Sequence, residues 1–162
     1  MISEHNIYAY LAQAESRGWH MAARGSLTNG WQLSFEGKLT RYDVFLDVGS
    51  DWVYLQCPLL KVEPVKECRE ILLEYLLRVN DRIFLAKFTL IWARPQGNPV
   101  NWAVLVSECP VDLFNANMFR LMTDTISVYS EKYYREILSI AREPEIAALA
   151  REVSFRVPAV LS

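Results

Sequence analysis

Histidine, glycine and cysteine are scarce in this chain, and each scarcity removes a class of function. The 162 residues hold two histidines, six glycines and three cysteines. His5 and His20 fall on or beside the first predicted helix, with no supporting ligands or nucleophile in sequence reach, so neither a metal site nor a catalytic triad is expected. The glycines are scattered among turns and make no P-loop or GxGxxG cradle, and neither GxSxG nor HExxH occurs. No cofactor, metal or enzymatic turnover is therefore expected. Cys57, Cys68 and Cys109 are odd in number, widely spaced and set among apolar neighbours. That pattern fits buried structural thiols in a reducing cytoplasm better than a disulfide framework or a zinc site.

Charge of one sign is also missing. Seventeen Lys and Arg against nineteen Asp and Glu leave a net charge of -2, with no dense basic stretch, which disfavours nucleic acid and anionic membranes as partners. The first residues, MISEHNIYAYLAQAESRGW, carry Glu4 and Glu15 where a secretory leader would be basic, and lack its apolar centre. No uncharged apolar run approaches the roughly 18 residues of a membrane-spanning helix.

What the chain does have is hydrophobic residues, at 52%. A chain of this length folding as one domain buries about 70% of its unfolded surface, and a single domain over 1–162 is expected, with its core in about 3–135. Ile7, Leu11 and Ala14 at helical spacing, with Ser3 as cap and Gly18 as stop, predict a first helix to about Arg17. From Trp31 the period becomes two. Trp31, Leu33 and Phe35 alternate with polar residues, and Tyr42, Val44, Leu46 and Val48 oppose Arg41, Asp43, Phe45 and Asp47. A third strand, Trp52 to Cys57, should stop at Pro58.

Pro64 suits the first turn of a second helix, with Asn80 as a left-handed cap. A strand from about Arg82 to Ala93 follows, then one from Trp102 to Ser107 with Val104 and Val106 on the Trp102 face. Asp112 is expected to cap a helix of about two dozen residues bearing Phe114, Met118, Leu121, Met122, Ile126, Tyr129 and Tyr133 on one stripe. A short last helix is expected near 144–152. The order α-β-β-β-α-β-β-α-α predicts an α+β fold, a five-stranded antiparallel sheet with helices mainly on one face.

The second helix is apolar around most of its girth. Cys68, Ile71, Leu72, Tyr75, Leu76 and Val79 span about 140°, enough to lie on a sheet, and Leu73 and Leu77 widen the arc to about 240°. These two leucines are candidates for a homodimer interface, each contributing on the order of 2 kcal/mol if fully buried. Coverage by the first or the long helix is the alternative. Trp31, Phe35, Trp52 and Tyr54 are candidates for a peptide-binding surface, because the strand from Trp52 is apolar on both faces. Asp43, Asp47 and His20 would instead serve a small-molecule or enzymatic site built on an aromatic pocket. A solvated polar face is the plainer reading of those carboxylates.

The segments NDRIFLAKFTLIW and ECPVDLFNANMFRLMTDTISVYSEKYY, with the element order around them, resemble the YbjN and type III secretion chaperone-like family over about Trp31 to Tyr134. The resemblance implies a small acidic α+β protein that dimerises and binds polypeptides without turnover, closer to the stand-alone YbjN-like members than to true secretion chaperones. A subunit of a larger complex, structural or regulatory, is a further possibility.

Overall fold

Alternation of apolar and polar residues becomes pairing in a computed structural model that describes residues 2–21, 30–62, 66–93 and 100–142. Six strands are found among these residues, one more than expected: β1 (His20–Met21), β2 (Gly30–Glu36), β3 (Arg41–Val48), β4 (Trp52–Val62), β5 (Lys87–Ala93) and β6 (Val100–Pro110). The extra strand is β1, whose two residues pair with Ser34 and Leu33 of β2. Two residues are too few to show a period. The sheet order is β1-β2-β3-β4-β6-β5, every neighbouring pair antiparallel.

Both β4 and β5 run antiparallel to β6 and therefore parallel to each other, which requires a crossover. Helix α2 (Lys66–Asn80) supplies it. Together with α1 (Glu4–Glu15) and α3 (Ala116–Arg142) it packs on one face of the sheet, in one core with Leu33, Val44, Leu55 and Leu105. The α+β class and the one-sided helical layer are thus as the sequence indicates. The expected helix near 144–152 lies outside the described residues.

Several boundaries differ for identifiable reasons. Strand β4 does not stop at Pro58 but continues to Val62, with a register shift between Pro58 and Leu60. Proline is tolerated at bulges and where no neighbour needs its N–H. The register of β3 against β4 covers only Phe45–Val48 and Val53–Gln56, so Pro58 lies beyond the end of that pairing. Helix α3 starts after Asn115, whose Oδ1 accepts from the backbone N–H groups of Asn117 and Met118, both at 3.0 Å. Asp112 instead lies in a short 3-10 turn, Val111–Leu113. Leu121, expected on the buried stripe of α3, is exposed.

Helix α1 is capped as expected, Ser3 Oγ accepting from Asn6 N at 3.2 Å, and buries Ile7, Leu11 and Ala14. At the far end of α2, Asn80 is the last helical residue. The left-handed residue is Leu85, φ 61°, in the turn before β5, which therefore begins at Lys87 and not at Arg82.

Candidate functional site

With all three helices on one side, the opposite face of the sheet has no helix over it among the described residues. Register places Phe45 beside Gln56, Gln56 beside Val106, and Val106 beside Lys87. The adjacent rows put Val104 between Pro58 and Thr89, and Trp102 beside Ile91. Val104 and Val106 are only 3% and 6% exposed, although they stand outside the helix-covered core.

Where β3 and β4 cease to pair, this face opens into a cleft of about 390 Å³. Arg41, Asp43 and Phe45 belong to β3, Gln56 and Pro58 to β4, and Ile91, Trp102 and Val104 complete the lining. The charges nearby are mostly matched. The Arg41 guanidinium donates to Ser34 Oγ at 2.7 Å and lies 3.9 Å from Glu36, and Lys87 pairs with Glu108 at 2.7 Å. Asp43 has no hydrogen-bond or ion-pair partner among the described residues.

A second apolar surface lies at the end of α2. Leu72, Leu76 and Val79 are buried as the helical stripe predicts, and Ile71 and Tyr75 pack beside them. Cys68, the start of that stripe, has a side chain outside the described residues. Leu73 and Leu77 are 36% and 62% exposed, so neither α1 nor α3 covers them. Phe84 and Leu85, in the following turn, are exposed as well, Phe84 at 79%. The turn is nevertheless held: Ser107 Oγ donates to the Leu85 carbonyl at 2.6 Å, and Phe84 N donates to Tyr129 Oη at 3.3 Å.

The candidate peptide-binding residues separate into two groups. Trp31 and Phe35 face the core and are buried; Phe35 stacks on Tyr42 with ring centroids 4.8 Å apart, so neither belongs to an accessible surface here. Trp52 is exposed and Tyr54 half-buried on the open face. Sequence reasoning put Phe45 on the outward face but did not count it as part of a site, and missed Pro58 and Ile91 as surface elements. The signal for Trp102 and Val104 was present in their shared face, but alternation does not say which face the helices take.

Asp43 and Asp47 share the open face, and register carries Asp43 across Ser34 to His20. Among the described residues no group of three or more His, Cys, Asp or Glu side chains could hold a metal ion. Cys57 is fully buried, and desolvation pushes its thiol up to about 12, partly opposed by the Ser130 hydroxyl, which donates to Sγ at 3.5 Å. Burial also raises the Cys109 thiol. Such thiols are poor nucleophiles at neutral pH.

No protein-family profile and no curated protein matches the chain. Among solved structures it is similar to the crystal structure of YbjN from E. coli, described there as a candidate transcription regulator, with a TM-score of 0.57 and 14% identity over 83% of this chain and 93% of that one. At that identity the likeness is one of fold, an α+β chain with an antiparallel sheet.

Proposed function

We propose that this protein is a non-enzymatic, homodimeric module that binds other polypeptides in the cytoplasm, in the manner of the YbjN and type III secretion chaperone-like family. The observation that carries the reading is the exposure of Leu77, with Leu73, Phe84 and Leu85, where α2 turns into β5. Large apolar side chains gathered at one corner mark an interaction site more often than chance exposure. The four side chains on each copy are 36–79% exposed, so burying what remains contributes at most on the order of 2 kcal/mol each. Association costs about 4–15 kcal/mol in lost freedom, so the dimer is weak and concentration-dependent.

Light scattering over a micromolar concentration series tests the dimer. A rise toward twice the monomer mass supports it, and a monomer throughout overturns it, as does a dimer that survives Leu77→Glu. Client binding is tested by purification from the native host. A reproducible absence of any co-purifying polypeptide counts against a protein-binding role.

One observation favours a second reading. Asp43 lines a cleft with Phe45 and Trp102, which is the composition of a small-molecule site. Native mass spectrometry of the purified protein, showing one retained mass that is lost in Trp102→Ala, would favour this reading over the first.

A further inference from the structure

The gap between β3 and β4 is a break in the ladder of an otherwise continuous sheet. Four residues at the start of β3, 41–44, pair with β2 but have no register partner on β4, and residues 57, 58 and 60–62 of β4 have register partners only on β6. Pro58, just past the last β3–β4 pair, has no N–H to give to β3. The cleft above the gap is apolar along Phe45, Pro58, Ile91, Trp102 and Val104, and its volume falls at the lower end of the roughly 300–1,000 Å³ typical of ligand sites.

Charge selects the occupant. Arg41 also lines the cleft, but its guanidinium is held by Ser34 and balanced by Glu36, so among the lining residues Asp43 is the charge left for a ligand to meet, with Lys61 beyond the lining as the register neighbour of Trp102. An acidic segment would meet Asp43 as a like charge, and a wholly apolar one would leave its carboxylate to be desolvated without compensation. A lysine or arginine satisfies both walls, since its methylene stem packs on apolar surface while its head reaches a carboxylate. Trp102 and Phe45 add aromatic rings, surfaces that attract a cation.

We propose that the cleft on the open face over β4 seats an extended peptide segment in which a lysine or arginine is flanked by aliphatic residues, Asp43 meeting the basic side chain and the Phe45, Trp102 and Val104 surfaces meeting its neighbours. This rests on the polypeptide-binding reading and gives that reading a location and a class of client. It does not depend on the α2 corner.

The test titrates the full chain with fluorescein-labelled pentapeptides read by anisotropy: acetyl-Ser-Val-Lys-Val-Ser amide, the same peptide with Glu for Lys, and the same with Gly for both Val. The Lys peptide should bind best. Asp43→Asn should weaken it about fivefold, the upper end for an exposed ion pair, and Asp43→Lys should shift the preference to the Glu peptide. Asp43 is on the sheet surface, so both variants should fold, and unchanged urea midpoints confirm it. Trp102→Ala should weaken the Lys peptide, and loss of the valines should do the same.

The proposal is overturned if the Lys peptide shows no binding at millimolar protein, or if Asp43→Lys leaves the order of the peptides unchanged. It is also overturned if N-acetyl-lysine methylamide competes as well as the unlabelled pentapeptide, which would make the occupant a small amine. Failure here with clients still recovered from the native host removes the cleft and spares the polypeptide-binding reading. Failure of both removes the reading itself.

Discussion

Asn80 clasps Phe88 with both ends of its amide: Oδ1 accepts from Phe88 N at 2.7 Å, and Nδ2 donates to Phe88 O at 2.9 Å. The side chain thereby fastens the last residue of α2 to the start of β5 across a turn that includes a left-handed leucine. Replacing it leaves two partly buried backbone groups without these partners, and an unmet buried group costs about 1–3 kcal/mol. Asn80→Ala should therefore lower stability by about 2 kcal/mol in urea unfolding. Asn80→Asp, which keeps an acceptor for Phe88 N but sets a carboxylate oxygen against the Phe88 carbonyl at the C-terminus of α2, should cost at least as much. A clearly smaller loss in Asn80→Asp would show that the bond to Phe88 O is not what matters.

Gly37 opens the turn between β2 and β3, where Gly37 N donates to Thr40 O at 2.9 Å. A β-carbon there would overlap the Glu131 carboxylate and the Tyr42 ring. The close approach is needed because Glu131, on α3, accepts from Lys38 N at 2.9 Å and so ties the hairpin to the helix. Gly37→Ala should destabilise by about 1–3 kcal/mol, the range for overpacking. In a Glu131→Ala background the same change should cost measurably less, because contacting residues are not additive. A full-size loss in that background would place the clash on Tyr42 alone.

Which residues share a face was legible in the longer strands, because period two assigns faces directly: Tyr42, Val44 and Leu46 are buried and Arg41, Asp43 and Phe45 face outward, as their alternation indicates. Which face the helices cover was not legible for β6, where Ala103 and Leu105 alternate with Val104 and Val106 and either set could line a core. Trp31 and Phe35 illustrate the same ambiguity, being apolar enough for a binding surface but placed on the covered side. The cleft beside Asp43 was invisible for a different reason: its lining comes from four strands, β3, β4, β6 and β5, whose order in the sheet is not given by alternation. At the end of α2 the sequence marked the right place but the wrong device. An asparagine there suggests a left-handed cap, whereas here it remains helical and the leucine five residues on adopts the positive φ.

That leucine stores strain. Leucine with φ near 61° crowds its β-carbon against the backbone at a cost of roughly 1–2 kcal/mol, and asparagine tolerates the region better. Leu85 is exposed, so little packing is lost on replacing it in the isolated chain. Leu85→Asn should raise monomer stability by about 0.5–1 kcal/mol in urea unfolding. If the α2 corner joins two copies, the same variant should weaken the dimer, so that stability and self-association move in opposite directions. A loss of monomer stability would mean that the Leu85 side chain contributes more to the turn than its backbone costs.

Cys57 is one of several buried groups that shape the response to alkaline pH. Its thiol is raised from about 9 to about 12, first by burial and slightly by Asp43, with Ser130 opposing. Tyr42 and Tyr75 are raised too, each first by burial, with Glu131 and Glu136 respectively adding to it. In each case the folded state holds its proton more tightly than the unfolded chain. The associated stability is therefore fully present below the unfolded value and is lost as pH rises through the folded one. Unfolding free energy should be insensitive to these groups up to about pH 9 and fall steadily between about 9 and 12. In the native protein at pH 8, iodoacetamide should leave Cys57 and Cys109 unmodified, as peptide mass mapping would show, and both should react promptly in urea. Rapid native alkylation of Cys57 would require that the α3 face of the sheet opens at its Ser130 contact, and hydrogen exchange at Leu55 and Leu105 should then be fast as well.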